Sequence, residues 1–223
     1  MGTTLAALDA RAVAELADWF AARGLPPAAQ LSSWAPAATV TSLAEAGFVP
    51  AWCRSVLATD LAGPGRDLAP DPGAQATGPA RRPGVATPQV VVVSDDALAR
   101  QAMAVMTAGL TEGLATGEEF MRADRACEAT TQLLALLDGR PVGCGSVTVV
   151  GPTAWLGAAA TLEQARRRGV QAALGRARLR LAREAGCDLV GATASSGSAS
   201  ARNLQRLGFG LVQEEWVVVR PAS

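Results

Sequence analysis

The 223-residue chain has no histidine and no tyrosine, and every one of its twenty basic residues is arginine; isoleucine is missing as well. Each absence removes a kind of chemistry. No imidazole can act as a base or complete a His-containing zinc site. No lysine amine can serve as nucleophile, and no phenol can act as an acid. Twenty acidic residues match the twenty arginines, so the formal net charge is zero. Nucleic acid is therefore not an expected partner, because a phosphate footprint needs a basic excess. No apolar run approaches the length of a membrane span, and no basic segment followed by an apolar stretch opens the chain. A protein free of membranes and located in the cytoplasm is expected. Four cysteines, Cys53, Cys127, Cys144 and Cys187, are widely spaced and form no Cys-x-x-Cys pair. They read as buried reduced thiols, and no metal site is expected.

What is present is enough apolar material, 49% of residues, for a full core. Residues 63–88 are dense in Pro, Gly, Ala and Asp without apolar period and read as a linker between residues 1–62 and 89–223. Before the linker, apolar residues at helical spacing (Leu8, Val13, Leu16, Trp19, Phe20) predict a long helix ended by Gly24 and Pro26. A strand at 28–34, a short helix capped by Thr39 or Thr41, and a strand at 49–61 follow. After it, a strand at 89–93 leads to a helix capped by Asp95 or Asp96, and a second helix covers 117–127. Asp138-Gly-Arg-Pro141 forms the tip of a hairpin, and residues 153–160 add a third strand. Helix 170–185, strand 188–194, helix 199–207 and strand 211–219 complete the pattern. Trp19, Trp34 and Trp52 are expected to pack the first part, and Trp155 and Trp216 to line core or cleft on adjacent strands. Two short helices end in the same way: Leu43-Ala-Glu-Ala-Gly-Phe48 and Leu204-Gln-Arg-Leu-Gly-Phe209 each lead into a strand, which suggests an internal repeat.

The most informative stretch runs from Thr161 to Leu174: Thr-Leu-Glu-Gln-Ala-Arg-Arg-Arg-Gly-Val-Gln-Ala-Ala-Leu. It sets three arginines and a glycine between a strand and a long helix. Cations at a helix N-terminus oppose the macrodipole, and a solvated face leaves that cost unexplained; a bound phosphate or pyrophosphate removes it. The glycine lets backbone come close to such a ligand.

With the element order after residue 88, this turn resembles the acyl-CoA motif Gln/Arg-x-x-Gly-x-Gly/Ala of the GCN5-related N-acetyltransferase (GNAT) family. Arg166, Gly169 and Gln171 stand at its marked positions; Gln171 departs from it, with Ala172 next. The resemblance extends to Gly157-Ala-Ala-Ala-Thr-Leu162, to Ala185-Gly-Cys-Asp-Leu189 and to Ser198-Ala-Ser-Ala-Arg-Asn-Leu-Gln-Arg-Leu-Gly-Phe209. It implies an α/β (α+β) fold with a mixed, mostly antiparallel central sheet flanked by helices. Residues 1–62 are similar to the tail of a truncated GNAT-like lobe in tandem members of the family, and 89–223 to the acetyltransferase domain.

The resemblance also implies acetyl-CoA as the acyl donor. Ala159, Ala160 and Thr161 would offer backbone groups to its pantetheine arm. Arg166, Arg167, Arg168, Gly169, Val170, Gln171 and Ala172 would cradle its pyrophosphate, and Ser198 or Asn203 would stand where the family carries a pantetheine-contacting Asn. The family's tyrosine acid has no counterpart, since its usual positions fall near Leu204 and Gln213. Glu112, Glu118, Glu119 and Glu163 are the candidate bases. The implied activity is acetyl transfer to a primary amine of a small molecule or a protein N-terminus. A non-catalytic acyl-CoA-binding sensor or scaffold is the alternative, and a dimerising module with a vestigial motif is a third. A homodimer fits any of these readings.

Overall fold

The computed structural model describes residues 7–61, 87–109 and 117–221. In chain order the elements are α1 (Ala10–Ala21), β1 (Ala28–Ser32), α2 (Ala37–Glu45), β2 (Val49–Asp60), β3 (Gln89–Val92), α3 (Asp96–Gly109) and α4 (Gly117–Ala126). There follow β4 (Thr130–Leu137), β5 (Arg140–Val150), β6 (Thr153–Thr161), a 3-10 turn at Glu163–Ala165, α5 (Val170–Glu184), β7 (Leu189–Ser195), α6 (Ala199–Arg206) and β8 (Gly210–Val219). The strands make one sheet in the order β1-β8-β2-β7-β6-β5-β4-β3. The registered pairs β1–β8, β3–β4, β4–β5 and β5–β6 are antiparallel, and β6–β7 is parallel. This is the mixed, mostly antiparallel α/β architecture expected. All but two residues of the linker segment lie outside the described residues.

The chain divides into two compact units: Met1–Leu57 with Thr193–Ala201 and Leu211–Ser223, and Ala58–Ala192 with Arg202–Gly210. In the second unit the sheet is covered on both faces. On one, Cys144 joins Ala102, Val105 and Met106 of α3 and Met121 of α4 in a buried cluster. On the other, Gly143 lies against Val170 and Leu174 of α5; a Cβ on Gly143 would stand 2.5 Å from the Val170 side chain. Alternation of side chains along β5 sends these neighbours to opposite faces. The hairpin between β4 and β5 closes through Asp138 (φ 50°) and Gly139 (φ 74°), the left-handed pair that a two-residue turn requires. Asp95 caps α3, its carboxylate accepting from the Leu98 amide at 2.8 Å.

In the first unit, Val13, Leu43, Phe48 and Val218 form the core. Asp9 caps α1 at 2.8 Å. Neither Thr39 nor Thr41 caps α2: Pro36 occupies the cap position without a side-chain bond. Thr39 lies within the helix, and its hydroxyl accepts the Leu8 amide at 2.9 Å, so a long-range bond takes the group that local reasoning assigned to the cap. Of the five tryptophans, Trp19, Trp34 and Trp52 depart from the expected packing, and Trp155 and Trp216 are not core and do not lie on adjacent strands. Trp19, Trp34, Trp52, Trp155 and Trp216 are 51, 67, 51, 44 and 48% exposed. The core is filled by Leu, Val and Ala, and β6 and β8 are not neighbours in the sheet. The thiols divide likewise: Cys144 and Cys187 are buried, Cys53 is half-buried and Cys127 is exposed.

The repeated helix ends share one geometry. After α2 the Gly47 amide donates to Ala44 at 3.0 Å and the Phe48 amide to Leu43 at 3.0 Å. After α6 the Gly208 amide donates to Gln205 at 2.9 Å and the Phe209 amide to Leu204 at 3.1 Å. Both glycines are left-handed, at φ 81° and 87°, and both phenylalanines are buried. A Cβ on Gly47 would meet only the Arg220 side chain, at 3.9 Å. Gly47→Ala therefore isolates backbone strain and should lower the unfolding free energy by about 1 kcal/mol in urea denaturation; an unchanged midpoint would show that the cap is not held.

Candidate functional site

Between β6 and α5 the chain makes a turn in which Arg167 (φ 61°) and Gly169 (φ 80°) are both left-handed. Gly169 is the N-cap residue of α5 and offers no side-chain bond to the helix. The Ala173 amide donates to the Gly169 carbonyl at 3.0 Å as the helix begins. Amides ahead of it on the first turn have no acceptor within the helix. Arg166, Arg167, Arg168 and Gly169 are exposed, Val170 is buried, and Gln171 and Ala172 are half-buried. The departure of Gln171 from the motif has a structural account: its amide donates to the Thr161 hydroxyl at 2.6 Å, which ties the side chain back to the end of β6. The result is a cationic rim around an amide-lined helix start. A cavity of about 490 Å³ lies beside it, lined by Leu162, Gln164, Ala165 and Arg168 and by the β4–β5 hairpin tip.

β6 leads into this turn. It pairs with β7 from Thr153↔Leu189 to Leu156↔Ala192 and then runs on to Thr161. Its pairing with β5 is irregular between Cys144 and Ser146, where Ala158 takes φ 46°. The bulge is braced from within. Arg178 of α5 is buried, and its guanidinium donates to the Leu174 carbonyl at 3.2 Å and to the Gly157 carbonyl at 3.3 Å. Burial pulls its pKa down to about 10. On the opposite face, burial pushes the Cys144 thiol up to about 12, so it is an inert core group. Of the strand residues assigned by sequence, Ala159 is exposed, and Ala160 and Thr161 are buried.

Ser198 and Asn203 lie on or beside α6. The Ser198 hydroxyl accepts the Ala201 amide at 3.1 Å, and the Asn203 side chain accepts from Arg206 at 2.9 Å. Glu163 is exposed on the 3-10 turn. Glu112 lies outside the described residues. Glu118 and Glu119 belong to the first turn of α4.

Two polar groups were not legible as sites in the sequence. In the second unit, Gln132 and Ser146 are buried register partners on β4 and β5, and both donate to Asp124 of α4, at 2.9 and 3.1 Å. A serine and a glutamine amid apolar strand residues were the available signal; their common partner on a helix was not. In the first unit, Glu214 accepts from Cys53 at 2.9 Å, from Ser55 at 2.8 Å and from Ser196. These donors, Cys53 first, hold the Glu214 carboxyl below its ordinary range, while the bond to Glu214 raises the Cys53 thiol.

Comparison with known proteins gives a consistent picture. Residues 107–209 match the family model described as Acetyltransferase (GNAT) family. No curated protein matches the sequence. The fold is similar to a GCN5-related N-acetyltransferase from Kribbella flavida, with a TM-score of 0.65 at 19% identity over 96% of this chain and 76% of that one. It is also similar to a GCN5-related N-acetyltransferase from Sphaerobacter thermophilus, with a TM-score of 0.64 at 19% identity over 89% and 62%. A tandem GNAT protein from the clavulanic acid biosynthesis pathway aligns with a TM-score of 0.55 at 18% identity over 88% and 64%.

The Glu214 cluster has a pH signature. A carboxyl with a lowered native pKa contributes stability above its ordinary value of 4.5, and that contribution is lost as pH falls through the lower native value. Wild type should exceed Glu214→Gln in melting temperature at neutral pH, with the gap closing only below pH 4.5. A gap independent of pH would contradict the assignment.

Proposed function

We propose, from the premise that the chain carries an acetyltransferase domain of the GNAT family, that it transfers an acetyl group from acetyl-CoA to a primary amine. The observation that carries this reading is the doubly left-handed turn at Arg167 and Gly169 feeding the start of α5. A diphosphate fits it: the first-turn amides donate, the dipole is attractive, and Arg166, Arg167 and Arg168 add charge-assisted bonds. Ala159, Ala160 and Thr161 are assigned to the pantetheine arm, because β6 continues beyond its last registered pair with β7. Ser198 and Asn203 are the assigned polar contacts on α6. The donor, when bound, supplies a thioester whose leaving group departs readily, so orientation can carry much of the rate without a tyrosine acid.

The acceptor is a small molecule or a peptide N-terminus, and the cytoplasm is the proposed location; among the described residues no helix is long and apolar enough to cross a membrane. Residues 1–62 are read as the remnant of a first lobe, supported by the matched helix ends at Phe48 and Phe209 and by the fold likeness to a tandem protein. The total lack of tyrosine favours a second reading, acyl-CoA binding without turnover.

Two measurements decide between these. Calorimetry should show acetyl-CoA binding to wild type, and Gly169→Glu should lose at least a hundredfold in affinity, because a carboxylate then stands at the anion seat. Equal affinity in the variant would remove the seat. Thiol release from acetyl-CoA in the presence of amines should exceed release without them; no difference, with binding intact, would leave the non-catalytic reading.

A further inference from the structure

Side chains, and not the neighbouring strand alone, set the bulge in β6. The registered pairs on either side of it are Cys144↔Ala160 and Ser146↔Gly157, so one residue of β5, Gly145, faces two of β6, Ala158 and Ala159. The two carbonyls at the start of the bulge are taken from opposite faces of the sheet. Arg178 of α5 donates to that of Gly157 at 3.3 Å, and the Cys144 thiol donates to that of Ala158 at 3.6 Å. Ala158 is left-handed there, at φ 46°, a conformation that a residue with a Cβ holds only when its surroundings enforce it. Ala159 is exposed directly after it, and Ala160 and Thr161 complete the strand.

The choice of arginine for this task is not explained by packing. Arg178 is buried and has no ion pair among the described residues. It fits because Gly145 has no side chain: a Cβ there would stand 3.3 Å from the guanidinium carbon. Apolar side chains of like volume often replace buried ionic groups with no loss of stability. What they cannot do is hold a carbonyl. The planar guanidinium donates through two of its nitrogens, to Leu174 one turn earlier on α5 at 3.2 Å and to Gly157 across on β6, so it ties the bulge to the helix in one orientation. The strand it fixes is the one whose last three residues are assigned above to the pantetheine arm, and the helix it fixes is the one whose start is assigned to the diphosphate.

We propose that Arg178 is a positioning residue for the acyl donor: by holding the Gly157 carbonyl it fixes the course of Ala159, Ala160 and Thr161, along which the pantetheine arm of acetyl-CoA lies. The assignment rests on the acetyl-CoA reading above, and it separates the arm from the diphosphate, since Arg178 governs the first and not the second. Binding of acetyl-CoA and of ADP, a diphosphate without the arm, is measured by calorimetry on the full chain, together with the melting temperature. Arg178→Met should weaken acetyl-CoA at least tenfold, leave ADP within twofold and keep the melting temperature within about 4 °C of wild type. Arg178→Lys keeps the charge without the two-pronged donor, and its acetyl-CoA affinity should fall between the two. Gly145→Ala keeps the arginine and crowds its guanidinium away from Gly157; it should weaken acetyl-CoA and spare ADP, and it carries the test if Arg178→Met does not fold. Wild-type acetyl-CoA affinity in Arg178→Met and Gly145→Ala, equal loss of both ligands, no ADP binding to wild type, or affinity that falls only in step with melting temperature would overturn the role. Absence of acetyl-CoA binding to wild type would overturn the donor reading itself and this role with it.

Discussion

β6 keeps its parallel partner for only part of its length, and the rest of the site follows from that. The strand is nine residues long and is registered with β7 over four of them. A strand that gives up a ladder must satisfy or expose its polar backbone. Here one carbonyl, at Gly157, is taken by a buried arginine, and the adjacent bulge admits Ala158 in a left-handed conformation. A lone buried cation is costly. Arg178 is tolerated because two carbonyls accept from it and because Gly145 leaves room: a Cβ there would stand 3.3 Å from the guanidinium. That internal brace gives β6 a defined path into the turn at Arg167 and Gly169.

The two faces of the same sheet divide the chemical work. On the α5 side, small residues and an arginine shape the strand and deliver it to a cationic helix start. On the α3 and α4 side, an otherwise apolar cluster built around Cys144 is interrupted by Gln132, Ser146 and Asp124. Buried polar groups of this kind persist where every member is bonded, and the two donors here share one acceptor carboxylate. In the first unit, Glu214 gathers Cys53, Ser55 and Ser196 by the same principle, with thiol and hydroxyl donors satisfying one carboxylate.

Much of this was legible before any coordinates. Helix and strand order, the Asp95 cap, the Asp138–Gly139 turn and the Arg-rich helix start all rest on neighbours within a few residues, where φ preference and periodicity act directly. The failures share a different origin. Thr39 looked like a cap, but its hydroxyl is bonded to Leu8, thirty-one residues away. Trp19, Trp34 and Trp52 looked like packing residues of the first part, yet smaller aliphatic side chains fill its core and leave these rings half exposed or more. Gln171 departs from the anion motif in sequence, and what its side chain does instead, a bond to the Thr161 hydroxyl ten residues back, needed the fold.

By itself, the order of residues determined the secondary elements, the left-handed glycine at the helix start and the concentration of positive charge there, because these depend on local stereochemistry and on charges adjacent along the chain. Tertiary structure alone decided which arginine is buried and which amide and hydroxyl share the Asp124 carboxylate. Those outcomes depend on strand register and on helix-to-sheet packing, which bring Asp124, Gln132 and Ser146 together although they are eight to twenty-two residues apart along the chain.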